Sequence, residues 1–387
     1  MRFPGFEGEW EECTIKDFGR VVTGSTPPTS DNRYYENGIR LWASPADLRG
    51  DKYISETCTK LSEKGFAKTR VIPRGATMVT CIGSTIGKMG MASCEMSTNQ
   101  QINSIIPNTQ TDSQYLYYAI QARFPRYSQS IAVQAVPILS KSSFEQLKNF
   151  RPLLQEQRKV GSFLDLIDRR ITIQNKIIED LITLEKEIVN YVFKTLNTVY
   201  QPLSIISERV TTRNTNTLCN NVLTISARDG LISQLNFFNK SVASQNLSNY
   251  IFLKKGDFAY NKSYSADHPW GAIKHLEIYD EGVLSPLYFC FRPIKSHIDT
   301  DFLQLYFETD LWHKHISDIS VEGARNHGLL NMSVGDFMAL PVPVPELDTQ
   351  REIVCSLKSF RNKKYNEMKY REFLLRQKTY LLSHLFL

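Results

Sequence analysis

Gly83-Ser-Thr-Ile-Gly87-Lys88-Met89 has the residue types of a phosphate-binding loop. It is one residue short between its glycines, and Met89 stands where a magnesium-binding Ser or Thr is needed. The segment therefore reads as a turn between strands. His313 and His315 lie two apart beside Trp312, but no third ligand accompanies them, so they read as surface or partly buried side chains. Glu367-Met368-Lys369 holds part of a nuclease's acid-and-lysine set, yet it falls in a helical stretch and reads as a solvated face. There is no G-x-G-x-x-G, G-x-S-x-G or H-E-x-x-H. An Asn/Asp-Pro-Pro-Tyr/Phe motif of the kind that holds an adenine amino group is also missing. Reactive residue types are present without the spacing that catalysis needs. The sequence predicts no catalytic residue, no metal site and no cofactor in this chain.

With 387 residues, 42% of them hydrophobic and 22% charged, the chain has room for two or three domains, each with its own core. No run of about 18 apolar residues predicts a membrane span, and the first residues lack a basic-then-apolar signal region. Cysteines 13, 58, 81, 94, 219, 290 and 355 are scattered and form no C-x-x-C pair. A reducing cytoplasm is the expected compartment. Net charge is +6. Between Arg351 and Lys378 nine Lys/Arg face three acids, an excess equal to that whole net charge.

The elements that position these residues are organised around Pro152–Phe193. Val160, Phe163, Leu164, Ile167, Ile171, Ile178, Leu181, Ile188 and Val192 recur at steps of three, four or seven. That periodicity predicts one apolar stripe on a helix roughly 60 Å long. Shifting the chain by 193 residues brings Leu154, Gln157, Arg158, Leu164, Lys176, Glu179, Leu181 and Phe193 onto identical residues from Leu347 to Phe386. Phe144 falls on Phe337, and a proline marks the approach to each helix. Tyr115-Leu116 falls on Phe302-Leu303 at a shift of 187, and Ile72-Pro-Arg-Gly75 resembles Leu253-Lys-Lys-Gly256 more faintly. Two convergent amphipathic helices would share the period, but not Gln-Arg at the same helix start.

The expected fold is mixed α/β (α+β), with an internal pseudo-twofold repeat. A first globular domain spans 1–151, a long central helix 152–197, a second domain 198–345 and a C-terminal long helix 346–387. In the first domain a helix is expected from Ser113, as N-cap, to Ala122. The two long helices are expected to pair as an antiparallel coiled coil through Val160, Leu164, Ile167, Ile171, Ile178, Leu181, Ile188, Leu357, Phe360, Leu374 and Leu381. Lys364, Glu367 and Arg371 interrupt the second stripe, and Tyr365 and Met368 offer a shifted one.

With those features assembled, the chain resembles the specificity subunits of type I restriction-modification enzymes. The resemblance rests on the order of segments and on Thr23-Gly-Ser-Thr-Pro-Pro28, Ile39-Arg-Leu-Trp42, Pro45-Ala-Asp-Leu48 and Leu61-Ser-Glu-Lys-Gly65. It continues through Ile72-Pro-Arg-Gly75, Gly83-Ser-Thr-Ile-Gly87, Thr98-Asn-Gln-Gln101 and Pro152-Leu-Leu-Gln-Glu-Gln157. It implies two target-recognition domains, each reading half of a bipartite double-stranded DNA site, with the helices as spacer. It also implies two modification (methyltransferase) subunits carrying S-adenosylmethionine, and restriction subunits using ATP and magnesium to translocate and cut.

Base edges and phosphates are contacted by Arg, Lys, Asn, Gln, Ser, Thr and Tyr. The candidates in the first domain are Ser25, Thr26, Arg33, Tyr34, Ser84, Thr85, Lys88, Asn99 and Gln100. In the second they are Arg213, Asn214, Arg228, Asp229, Lys262, Ser263 and Tyr264. A surface or turn role stays open for each. A protein-binding assembly scaffold and a stand-alone DNA-modifying enzyme are the alternative readings.

Overall fold

The computed structural model describes residues 2–3, 5–131, 138–215, 219–226, 230–238, 247–263, 268–320 and 329–386. Two units emerge: Met1–Ile178 with Glu367–Leu387, and Glu179–Asn366. Each includes a stretch of both long helices.

The first unit is built on a five-stranded sheet in the order Gly19–Thr23, Ile102–Pro107, Thr77–Thr80, Met89–Ala92, Tyr53–Ile54. The first four strands pair antiparallel, and the last joins in parallel. Thr77–Thr80 and Met89–Ala92 are buried at every position, which is why they lack polar alternation and form the sheet's interior. Thr59–Leu61, Arg40–Ala43, Met96–Thr98 and Val71–Ile72 form a second sheet.

The helix Ser113–Ile131 begins under Asp112, whose Oδ1 accepts the Tyr115 N–H at 2.9 Å. The cap is thus Asp112 rather than Ser113, and the helix continues past Ala122 through Pro125. Phe124 and Tyr127, on either side of that proline, bury their rings in the core and hold the extra turns against it.

The second unit repeats the design. Its four-stranded sheet runs Ser207–Arg209, Phe289–Pro293, Phe258–Asn261, Ala272–His275, matching the first four strands of the other sheet in order and direction. Even the faintest match in sequence has a structural basis. Gly75 and Gly256 take φ of +85° and +91°, and each donates its N–H across a turn, to Ala92 O and Leu276 O, both at 2.8 Å. Ser140 and Ser333, 193 apart, each cap a short helix that buries Phe144 or Phe337 completely. The proline-rich Pro341–Pro343 is extended, paired with Tyr200–Pro202 as Lys148–Arg151 pairs with Glu11–Thr14.

The long helices run Leu154–Thr195 and Leu347–Leu385, 42 and 39 residues. In the first unit Asp168 meets Lys378, Arg170 meets Tyr370 and Gln174 meets Glu367, so the pair is antiparallel. Val160, Leu164, Ile167 and Ile171 are buried with Leu374, but in one core that also holds Tyr115, Ile120 and Phe144. Leu357 is buried in the second unit with Val189 and Phe193 among the sheet's aromatic residues. The seam is therefore shared between partner helix and domain, each fully buried Leu or Ile contributing about 1.5–3 kcal/mol.

Ile178 is buried, whereas Leu181, Ile188, Phe360 and Leu381 are half-buried. The shifted stripe is not used, since Tyr365 and Met368 face outward, 55% and 38% exposed. Lys364 and Glu367 keep the inward positions because each finds a polar partner there, Glu185 and Gln174. Among the described residues no helix is long and apolar enough to cross a membrane.

Candidate nucleic-acid interface

Strand register gathers three loops of the first unit at one end of its five-stranded sheet. Asn103 pairs with Thr23 and Ile102 with Thr80. The segments after Thr23, after Thr80 and before Ile102 must then emerge together. They carry Ser25 and Thr26, then Ser84, Thr85 and Lys88, then Asn99 and Gln100.

Thr26 Oγ1 hydrogen-bonds the Gln100 side chain. Ser25 is held by its own backbone and hydroxyl: its N–H donates to Thr98 O at 2.8 Å, its carbonyl accepts Trp42 Nε1 at 3.0 Å, and Oγ accepts the Arg70 N–H at 3.0 Å. The 83–88 segment is a hairpin turn and opens no helix, as expected. Gly87 has φ +90°, and a Cβ there would stand 2.3 Å from the Phe124 ring. Ser84, Lys88 and Gln100 are exposed on this edge.

Asn99 differs from expectation. It is 8% exposed, and its side chain closes a local turn with Gln101, accepting that residue's N–H at 3.1 Å and donating to its Oε1 at 3.0 Å. Arg33 and Tyr34 lie on a neighbouring single turn, Asn32–Tyr34. The Arg33 guanidinium bonds Asp31 at 2.9 and 2.8 Å. Tyr35, not singled out from sequence, ties that turn to the loop through Pro27 O at 2.7 Å. Arg70, not singled out either, holds Ser25 through its N–H and donates from its guanidinium to Thr23 O at 2.9 Å, contacts that no residue spacing signals.

The second unit presents the corresponding edge. Lys262 and Ser263 follow Asn261 as Cys81 and Ile82 follow Thr80. Leu330 N–H donates to Lys262 O at 3.0 Å, as Leu139 N–H does to Cys81 O at 2.8 Å, and Ser263 bridges Leu329 as Ile82 bridges Ile138. Lys262 Nζ lies 4.6 Å from the Phe289 ring centroid. Arg213 bridges Ile251 and donates from Nη1 to Asn249 O at 2.7 Å. Asn214 is fully buried and bonds both the N–H and the carbonyl of Cys219, so it braces a turn and is closed to a ligand. Arg228, Asp229 and Tyr264 lie outside the described residues.

His313 is half-buried against Trp312, and burial lowers its pKa. Among the described residues no three His, Cys, Asp or Glu side chains cluster to hold a metal ion.

Residues 7–183 match the family model described as the type I restriction modification DNA specificity domain. The matched stretch, 177 of the 387 residues, is similar to that specificity domain. A type I specificity subunit of Methanocaldococcus jannaschii, from the MjaIX enzyme, is 31% identical over 183 residues, 45% of this chain and 42% of that one. The HindI specificity subunit of Haemophilus influenzae is 30% identical over 148 residues, 37% of this chain and 32% of that one. These matches span less than half of either relative. The crystal structure of a type I specificity subunit from M. genitalium covers 98% of this chain and 96% of its own, at TM-score 0.57 and 14% identity. A chain from a structure of complex assembly and conformational transition in a type I system covers 99% and 97%, at 0.57 and 12%. The specificity-subunit fold thus extends over both units, including the part beyond the matched domain.

Proposed function

We propose that this chain is the DNA-recognition subunit of a type I restriction-modification complex, with each sheet edge reading one half of a bipartite double-stranded site. The observation that carries this reading is the duplicated edge: the same strand order delivers Ser25, Ser84, Lys88 and Gln100 in one unit and Arg213, Lys262 and Ser263 in the other. Two readers on one chain need a stiff spacer, since half-site spacing follows from protein geometry, and the long helices supply it.

The chain itself catalyses nothing in this reading. Two modification subunits bring S-adenosylmethionine and methylate the target. Restriction subunits bring ATP and magnesium. The docking face for modification subunits is the second apolar stripe of the central helix. There Leu166, Ile173, Ile177, Leu184 and Tyr191 follow one another at steps of seven and four and are 38–69% exposed. All seven cysteines are free thiols, which suits a reducing cytoplasm.

Methylome sequencing of a strain with and without this gene tests the proposal. A set of bipartite methylated sites should vanish with the gene, and an unchanged set would sink the idea.

A further inference from the structure

At least five of the nine bases between Arg351 and Lys378 are paired within the chain: Arg351 with Asp348, Lys358 with Asp301, Arg361 with Glu185 and Glu308, Lys364 with Glu185, and Lys378 with Asp168. Two of these acids, Asp168 and Glu185, come from the central helix. Their places in the repeat are informative. Asp168 and Arg361 are related by the 193-residue shift, and so are Glu185 and Lys378.

In the first unit Asp168 Oδ1 meets Lys378 Nζ at 2.6 Å. In the second Glu185 Oε1 meets Arg361 Nε at 2.6 Å. These are the same two positions of the repeat, with the acid on the central helix both times and the base on the C-terminal helix both times. Gln174 and Glu367, also 193 apart, bond one another, so this contact maps onto itself.

We infer that the helix pair carries a charge pattern that accepts only an unlike helix as partner and rejects pairing between two copies of the same half of the chain. The partner it fits is a long helix with the opposite charges at these positions: the chain's own other half, or that half of a second copy. In the same antiparallel register, two central helices would set Asp168 against Glu185 twice. Two C-terminal helices would set Arg361 against Lys378 twice and Glu367 against its own copy.

These side chains are only 11–36% exposed in their pairs, so like charges would meet with reduced screening. The apolar seam cannot make the distinction, because apolar contact is non-directional and Leu164 and Leu357 occupy equivalent places. This inference rests on the repeat and on helix contacts. It stands or falls independently of what the domains bind.

The test uses the full chain with an engineered protease site in the connector 196–199. Chains carrying two different tags on the first half are cut, unfolded together in urea and refolded, and pairs are counted by native mass spectrometry. Unlike halves should outnumber like pairs by about tenfold or more. Glu185→Arg makes the first half self-complementary, because Asp168 of each copy then faces the introduced guanidinium of the other, and pairs bearing both tags should appear. Arg361→Glu combined with Glu367→Gln, which removes the self-facing carboxylate, does the same for the second half, with the tags placed there, and keeps the test alive should the first variant refold poorly. Like pairs from the unsubstituted chain, or none from either variant, overturns the inference.

Discussion

Gln157 and Gln350 make the same three hydrogen bonds in the two halves of the chain. Nε2 donates to a proline carbonyl just upstream, Pro152 O at 2.9 Å or Pro345 O at 2.8 Å, and to a loop carbonyl, Gln110 O or His297 O, both at 3.1 Å. Oε1 accepts the N–H of the aspartate that caps the next helix, Asp112 at 2.9 Å or Asp299 at 2.7 Å. Each glutamine ties the start of a long helix to its domain while 0–1% exposed.

Replacing either glutamine with leucine takes away the side-chain partner of three backbone groups at the junction. The expected loss is about 2–4 kcal/mol, similar at both sites. Urea unfolding followed by circular dichroism measures it, and losses below about 1 kcal/mol would show that the bonds do not carry the junction.

Lys52 and Asp165 form a second tie in the first unit, Nζ to Oδ1 at 2.7 Å, with side chains 4% and 8% exposed. Tyr118 and Tyr53 hydroxyls complete the cluster at 3.0 Å. Lys52→Met removes the buried partner of the Asp165 carboxylate, which keeps Arg169 at 2.8 Å and the Tyr53 hydroxyl, and should cost about 3 kcal/mol. The double variant Lys52→Met with Asp165→Leu should recover most of that. A double variant no better than the single one would place the cost in packing.

Acid should loosen both units. Burial opposes the charge on Asp165 and on Glu185, but hydrogen bonds from Lys52 to the first, and from Lys364 and Arg361 to the second, hold both pKa values below the ordinary range. Folded protein therefore binds fewer protons here than unfolded chain. The stability they supply is complete above the unfolded carboxylate range near ~4 and drains as pH falls through the lower folded values. Urea midpoints measured from pH 6 down to 3 should fall less steeply in Asp165→Asn and Glu185→Gln. Parallel curves would contradict the assignment.

On the proposed reading edge, Lys88→Ala in the assembled complex should weaken DNA binding at every sequence and flatten the salt dependence by about one unit of log–log slope. Gln100→Ala should relax preference in one half-site alone. Asn99→Ala should instead lower stability, because that side chain closes a turn. Binding isotherms at several salt concentrations separate these outcomes, and an unchanged slope for Lys88→Ala would remove that residue from the interface.

Inserting four residues, about one helical turn, within Ile171–Leu184 should alter the recognised gap or abolish activity while leaving both half-sequences intact. The methylome of the variant strain reads this directly. An altered half-sequence with a constant gap would rule out the spacer role.

The amino-acid sequence by itself determined the two long helices, their repeat and the extended proline connectors. Each of these is written in local periodicity and in matches at a constant shift. It also placed the loops that the first sheet brings to one edge, since turn residues mark where strands end. Burial and pairing were decided only by the tertiary structure. Asn99 and Asn214 have the residue type of a base reader, yet the chain folds over them and uses their amides internally. The sequence shows a basic excess on the C-terminal helix without showing what faces it, and folding brings Asp168, Glu185, Asp301 and Glu308 against it. A side chain's type is a local property, whereas its exposure and the charge it faces depend on segments far away in the chain.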